Sequence, residues 1–316
     1  MHQLYKIFST VGLTVFLVGV PSLRQAQAAI PVPLTVAQAD SSETSESAAE
    51  SDRENPDSKT DADPDTNPNA EATETEATDD PVESADDMPD DDMTAEDFHR
   101  RGLEKLGQRD TEGAIADFDK ALELDPDLAL VYSSRGVAYL QAGKYQDALE
   151  DYNQFIETND EDGRAYYNRA IAYVGLKKYE EAVKNYTQSL KFQPDNADAY
   201  YNRAIARVAL KKYRLAVEDY TKAIELDSED AGIYNNRGAA LRHLKKYEDA
   251  IADYDKAIEL NDEYAEAFYN RGIARYYLQD IEQAIADFQK AAALFEQQGN
   301  VRGQKQATDN ISVLQQ

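Results

Sequence analysis

Four asparagines, Asn168, Asn202, Asn236 and Asn270, stand 34 residues apart, and each directly precedes an arginine. A side-chain amide carries both a donor and an acceptor, so a regular row of them can follow the backbone of an extended peptide with modest regard for its sequence. The residues just before them, Tyr167, Tyr201, Asn235 and Tyr269, would add flat amphipathic contact surface. The arginines form a row of their own: Arg101, Arg135, Arg169, Arg203, Arg237 and Arg271. A guanidinium entering a protein interior is expensive unless paired. The matching column downstream holds Asp117, Asp151, Asp219, Asp253 and Asp287, with Asn185 in the third place. The two columns predict an ion-pair ladder, within or between units, with a structural role.

Other reactive groups are sparse. His2, His99 and His243 form no helical metal pair and no nucleophile motif, and no glycine-rich phosphate loop is present. His243, with Arg242 and Tyr276, decorates the binding surface or faces solvent. The recurring Asp-x-Asp-Tyr pieces are repeat columns and not acid-base dyads. Asp61, Asp63, Asp65 and Asn67 alternate like the oxygen ligands of a calcium loop. That stretch lacks the loop's glycine, and its twelfth position is Ala72 where a bidentate Glu is needed. The expected protein has no catalytic residue, no cofactor and no metal. It works by binding.

Charge divides the chain. Between Asp40 and Met93 there are 21 acids against Arg53 and Lys59, a charge of −19, with no aromatic residue from Pro31 onward. Such a segment buries too little to offset chain entropy, which predicts a disordered acidic linker over 29–93 acting as a solvated spacer. Residues 94–316 carry 40 acids and 29 bases, only −11, and a protein without clustered Lys and Arg is not built for nucleic acid. No cysteine is present, which removes disulfides, thiolate metal sites and cysteine-linked lipids.

Residues 1–28 read as an export signal. A weakly basic start precedes the uncharged run Ile7 to Val20, Pro21 breaks it, and Ala26-Gln27-Ala28 offers a small-x-small cleavage site. The run falls short of the roughly 20 residues that a spanning helix needs, so no stable membrane insertion is expected after cleavage, an uncleaved anchor being the alternative.

The elements that position all these rows follow from the period. The aromatic column Phe98, Tyr132, Tyr166, Tyr200, Tyr234 and Phe268 keeps a 34-residue step. So do Ala114, Ala148, Ala182, Ala216, Ala250 and Ala284, and Phe118, Tyr152, Tyr186, Tyr220, Tyr254 and Phe288. Within a unit, Tyr200, Ala204, Ile205 and Val208 recur at helical spacing, and Ala216, Val217, Tyr220 and Ile224 do the same on a second helix. Small residues at 204 and 216 let the two helices cross closely. Asp125-Pro126, Gln193-Pro194 and Asp227-Ser228 end units.

These columns resemble the tetratricopeptide (TPR) repeat over about residues 95–298, with arginine where that family usually has leucine. The Tyr-Asn-Arg-Gly/Ala style is similar to TPR proteins of cyanobacteria and chloroplasts. The resemblance implies an all-α, right-handed superhelix of six repeats, 95–128, 129–162, 163–196, 197–230, 231–264 and 265–298, closed by a capping helix within 299–316. It further implies a concave groove, lined by the first helices, in which the asparagine row binds an extended peptide or partner protein. The family's carboxylate clamp fits poorly: of the corresponding positions only Arg164 is basic, while Asp198 and Glu266 are acidic. The expected function is a non-catalytic scaffold in the periplasm, thylakoid lumen or extracellular space that assists assembly of a protein complex. A chaperone-like factor of the same compartments is the alternative, and an accessory subunit of a cell-envelope enzyme a further one.

Overall fold

The computed structural model describes residues 89–315, all helix and short connection, with no strand among the described residues. The export segment, the calcium-like stretch and the acidic linker up to residue 88 lie outside the described residues.

Thirteen α-helices follow one another as hairpins. The first and second helices of successive repeats are α1 (Ala95–Gly107) and α2 (Thr111–Leu124), α3 (Ala129–Gln141) and α4 (Tyr145–Thr158), α5 (Gly163–Gly175) and α6 (Tyr179–Phe192). Then come α7 (Ala197–Ala209) and α8 (Tyr213–Leu226), α9 (Ala231–His243) and α10 (Tyr247–Leu260), α11 (Ala265–Tyr277) and α12 (Ile281–Gln297), and the final α13 (Val301–Leu314).

Local chemistry starts several of the helices and stops the first helix of every repeat. Thr94 and Asp97 form a reciprocal capping box on α1, and Asp162, Asn196 and Asp230 cap α5, α7 and α9 through backbone N–H groups. Every first helix ends on one left-handed residue: Arg109, Gly143, Lys177, Lys211, Lys245 or Gln279, with φ from 58 to 71°. In the third repeat Lys178 N–H then reaches back to the Tyr173 carbonyl at 2.8 Å, closing the helix end. Only Gly143 takes that conformation without a Cβ clash.

Packing within a hairpin rests on a ring held against a small residue. Phe118, Tyr152, Tyr186, Tyr254 and Phe288 are fully buried, as is the alanine column from Ala114 to Ala284. A Cβ on Gly136 would lie 2.9 Å from Tyr152 Cζ, and one on Gly102 2.5 Å from Phe118 Cε1, so these glycines set how closely the hairpin shuts. Replacing such a ring by Ala costs about 3–5 kcal/mol. Between repeats, each second helix packs on the next first helix, and successive first helices approach one another more closely than second helices do. First helices therefore form the inner side of the array. At the end, α13 lies on α12 with Gly303 against the Phe295 ring and Ala307 fully buried.

The ordered array begins earlier than the composition suggests. Asp90–Asp92, at the end of the acidic linker, form a 3-10 turn, and Asp90 accepts from Arg101 Nη1 at 2.8 Å and pairs with Lys120.

Candidate partner-binding surface

The arginine ladder is present, and it spans both levels. Arg237 Nε and Nη2 donate to both oxygens of Asp253 at 2.9 and 2.7 Å, while its Nη1 reaches Thr221 Oγ1 of the preceding repeat at 3.2 Å. Arg135, Arg203 and Arg271 grip Asp151, Asp219 and Asp287 in the same way and reach back to Asp119, Thr187 and Asp255. Each guanidinium also lies over the aromatic ring three residues before it, 5.1 Å from the Phe98 centroid for Arg101 and 5.4 Å from Tyr200 for Arg203. Asp253 raises the Arg237 pKa by hydrogen bonding, against burial. The within-repeat partner was legible from the column. The backward partner was not, because that column holds Asp119, Asn153, Thr187, Thr221 and Asp255, which share only an acceptor oxygen.

The asparagine row lies along the seam between successive first helices. Asn202 Nδ2 donates to Tyr167 Oη and Asn236 Nδ2 to Tyr201 Oη, both at 2.9 Å; Asn270 Nδ2 donates to Asn235 Oδ1 at 3.0 Å. His99 and Ser134 make the equivalent bond in the first joint at 2.9 Å, and at the last Asn310 of α13 donates to Tyr269 Oη at 3.3 Å. Every residue of the expected site except Asn168 thus binds a neighbour across a joint, whereas Asn168 lies beside the Tyr152 hydroxyl. Asn202, Asn235, Asn270, Tyr201 and Tyr269 are buried in the seam, while Asn168, Asn236 and Tyr167 are half-buried. Sequence could show that these amides recur but not that they face each other, 35 residues apart.

One turn and two turns further along the same helical face lie the residues that continue the inner surface. They are Ile205 and Val208 on α7, Ala239 and Arg242 on α9 and Tyr276 on α11, all half-buried, while Ile171 and Val174 on α5 and Ile273 on α11 hold the same columns but are buried. His243 stacks on Tyr213 with centroids 4.4 Å apart, and burial lowers its pKa.

Charge is sorted by side. The first helices of repeats two to six carry nine arginines against two acids, Asp198 and Glu266, both in a first turn. Most second helices run the other way: α4 has Asp147, Glu150, Asp151 and Glu157 and no base, although α6 balances Glu180 and Glu181 with Lys184 and Lys191. Seven of the nine arginines are engaged, five in the ladder, plus Arg207 and Arg275 on Asp219 and Asp287 at 2.7 Å. Arg164 and Arg242 have no ion pair among the described residues. The inner side is thus nearly free of carboxylates in an acidic protein. Among the described residues no group of His, Asp or Glu is arranged to hold a metal ion, and no helix is long and apolar enough to cross a membrane.

Helical hairpins repeated every 34 residues, with a continuous inner face, define an α-solenoid of the kind that binds along its length. Tetratricopeptide-repeat profiles match residues 108–143, 133–197, 197–230, 231–264 and 265–298, together more than half of the chain. The chain belongs to the tetratricopeptide-repeat family. Among solved structures it is similar to MamA 41-end from Desulfovibrio magneticus RS-1 (24% identity, TM-score 0.53, 54% of this chain and 97% of that one). It is also similar to YrrB, titled a TPR protein with an unusual peptide-binding site (24% identity, TM-score 0.53, 61% and 97%). A further MamA crystal structure matches at 23% identity and TM-score 0.51, over 54% and 94%. At these identities the likeness is one of fold. No curated protein matches the chain.

Proposed function

We propose that this protein is a non-catalytic scaffold that holds an extended segment of a partner protein along the inner face of its first helices. The observation that carries the reading is the inner face itself: a row of apolar, amide and phenol groups almost without carboxylates, on a protein of net charge −28. An extended chain meets neutral donors, acceptors and apolar side chains there, and like-charge repulsion does not bar an acidic one. Asn168, Asn236 and Tyr167 are the seam residues within reach of such a segment. Asn202, Asn235, Asn270, Tyr201 and Tyr269 support it from within by fixing the angle between repeats. YrrB, a fold relative described as a TPR protein with an unusual peptide-binding site, favours peptide binding. The protein acts after export, in a periplasm, lumen or extracellular space, in the manner of cyanobacterial and chloroplast TPR proteins. The motive is the 1–28 segment with its Ala26-Gln27-Ala28 site.

A photo-crosslinking residue at Val208, on the inner face, and another at Lys222, on an exposed second-helix position, test the surface. Partner crosslinks are expected from 208 alone. Crosslinks from 222 alone would move the binding surface to the outer side. N-terminal sequencing of the mature chain tests export: a start after Ala28 or Ala29 is expected, and a start at Met1 overturns it.

A further inference from the structure

At the position two turns beyond the seam, the first four repeats place Leu106, Leu140, Val174 and Val208. The fifth places Arg242 there. Arg242 has no ion pair among the described residues, and no Asp or Glu occurs from 231 to 247, the span of its own helix and turn. On the helices packed around it, the groups that sense its charge are Tyr247 and Tyr254 on α10 and Tyr269 on α11. Arg242 Nε is buried without a hydrogen-bond partner, and so is the adjacent Tyr254 hydroxyl, whose pKa burial pushes up to about 12 although the guanidinium opposes the rise. Among the described residues the fork is paired with no carboxylate; the group that neighbours it is the Tyr254 phenol, a weak acceptor. Such a fork is shaped to receive a carboxylate in bidentate fashion. On either side, the neighbouring repeats offer Val208 and Tyr276, both half-buried.

We infer that Arg242 anchors an aspartate or glutamate side chain of the partner segment, so that the preferred occupant is an extended peptide with one acidic residue flanked by apolar ones. The inference rests on the inner face being the partner surface. The protein's overall negative charge does not oppose it at contact range, because charges beyond roughly 10 Å are screened at 0.1 M salt and the nearest turns carry Lys211, Lys212, Lys245 and Lys246.

The test is selection of a phage-displayed library of random heptapeptides on the full chain and, in parallel, on Arg242→Gln and Arg242→Lys. On the parent chain an Asp or Glu should be enriched at one position among apolar residues. A selected peptide should lose about tenfold in affinity when that acid becomes its amide. Arg242→Lys should keep a weaker preference and Arg242→Gln none. Inner-face binders with no acidic position, or with the same acidic position on Arg242→Gln, overturn the anchor and leave the groove reading intact. Selected peptides that crosslink only at 222, or a library that returns no binder on any of the proteins, overturn both. Arg242→Leu, the residue type of the first repeats, replaces the Gln variant should thermal unfolding show that variant misfolded.

Discussion

The third and fifth repeats hold the same arginine in the same place and give it different company. Arg237 grips the Asp253 carboxylate with two N–H groups; Arg169 meets Asn185 Oδ1 at 2.7 Å through Nε and Asn153 Oδ1 at 2.9 Å through Nη1, with no carboxylate in reach of its fork. Asp253 raises the pKa of Arg237, whereas burial lowers that of Arg169. Yet both guanidinium groups lie over a tyrosine ring, 5.8 and 5.2 Å from the centroids of Tyr234 and Tyr166. The position of the arginine is therefore set by the repeat geometry and the ring beneath it. The counter-charge is a local addition that sets how firmly the unit is tied.

That contrast can be broken most sharply at the fifth repeat. Asp253→Ala should lower the unfolding free energy by about 3 kcal/mol, because it strands a half-buried cation; urea unfolding measures it, and a change comparable with surface substitutions would show that the pair is idle. Asn185→Asp in the third repeat should act in the opposite direction. It supplies the missing carboxylate to an arginine already in place, for a gain of about 1 kcal/mol in the same assay. Destabilisation instead would mean that the site cannot meet the desolvation cost.

Acid offers a third comparison, with the first repeat. Burial raises the Asp117 pKa, but hydrogen bonds from Arg101 and Lys105 outweigh it and hold the carboxyl below its ordinary 3.8. A depressed folded pKa contributes stability that is present above 3.8 and lost as pH falls through the folded value. Amide protection, corrected for the intrinsic exchange rate at each pH, should therefore fall in α1 and α2 between pH 5 and pH 3, more than at α5 and α6, where Asn185 does not titrate. Equal loss of protection in both pairs would contradict this assignment. The smallest effect belongs to Asp90→Asn, at an exposed contact: faster exchange limited to α1 and α2, with the third and fifth repeats unchanged.

Much of this was readable in advance. Residues that recur every 34 positions at helical spacing identify the hairpins, and an arginine matched by an acid column identifies half of each ladder contact. The other half was hidden because physics asks there only for an oxygen acceptor, and Asp119, Asn153 and Thr187 all supply one. The seam was hidden for a different reason: Asn202 and Asn270 look like surface residues on a helix, and their burial depends on how close the next first helix comes. Arg242 was visible as a charge, but its lack of a partner emerged only from its neighbours.

Both ends of the array carry an impostor. Asp90 gives Arg101 the acceptor that a preceding second helix would supply, and Asn310 gives Tyr269 the amide that a following first helix would supply. Neither belongs to the 34-residue columns. Because every interior joint contacts only its immediate neighbours, a whole unit gained or lost by tandem duplication or deletion leaves the two terminal substitutes facing the partners they already have. The gene for such a protein can change its unit number without redesigning either end, and the length of partner chain it can follow changes in steps of one repeat.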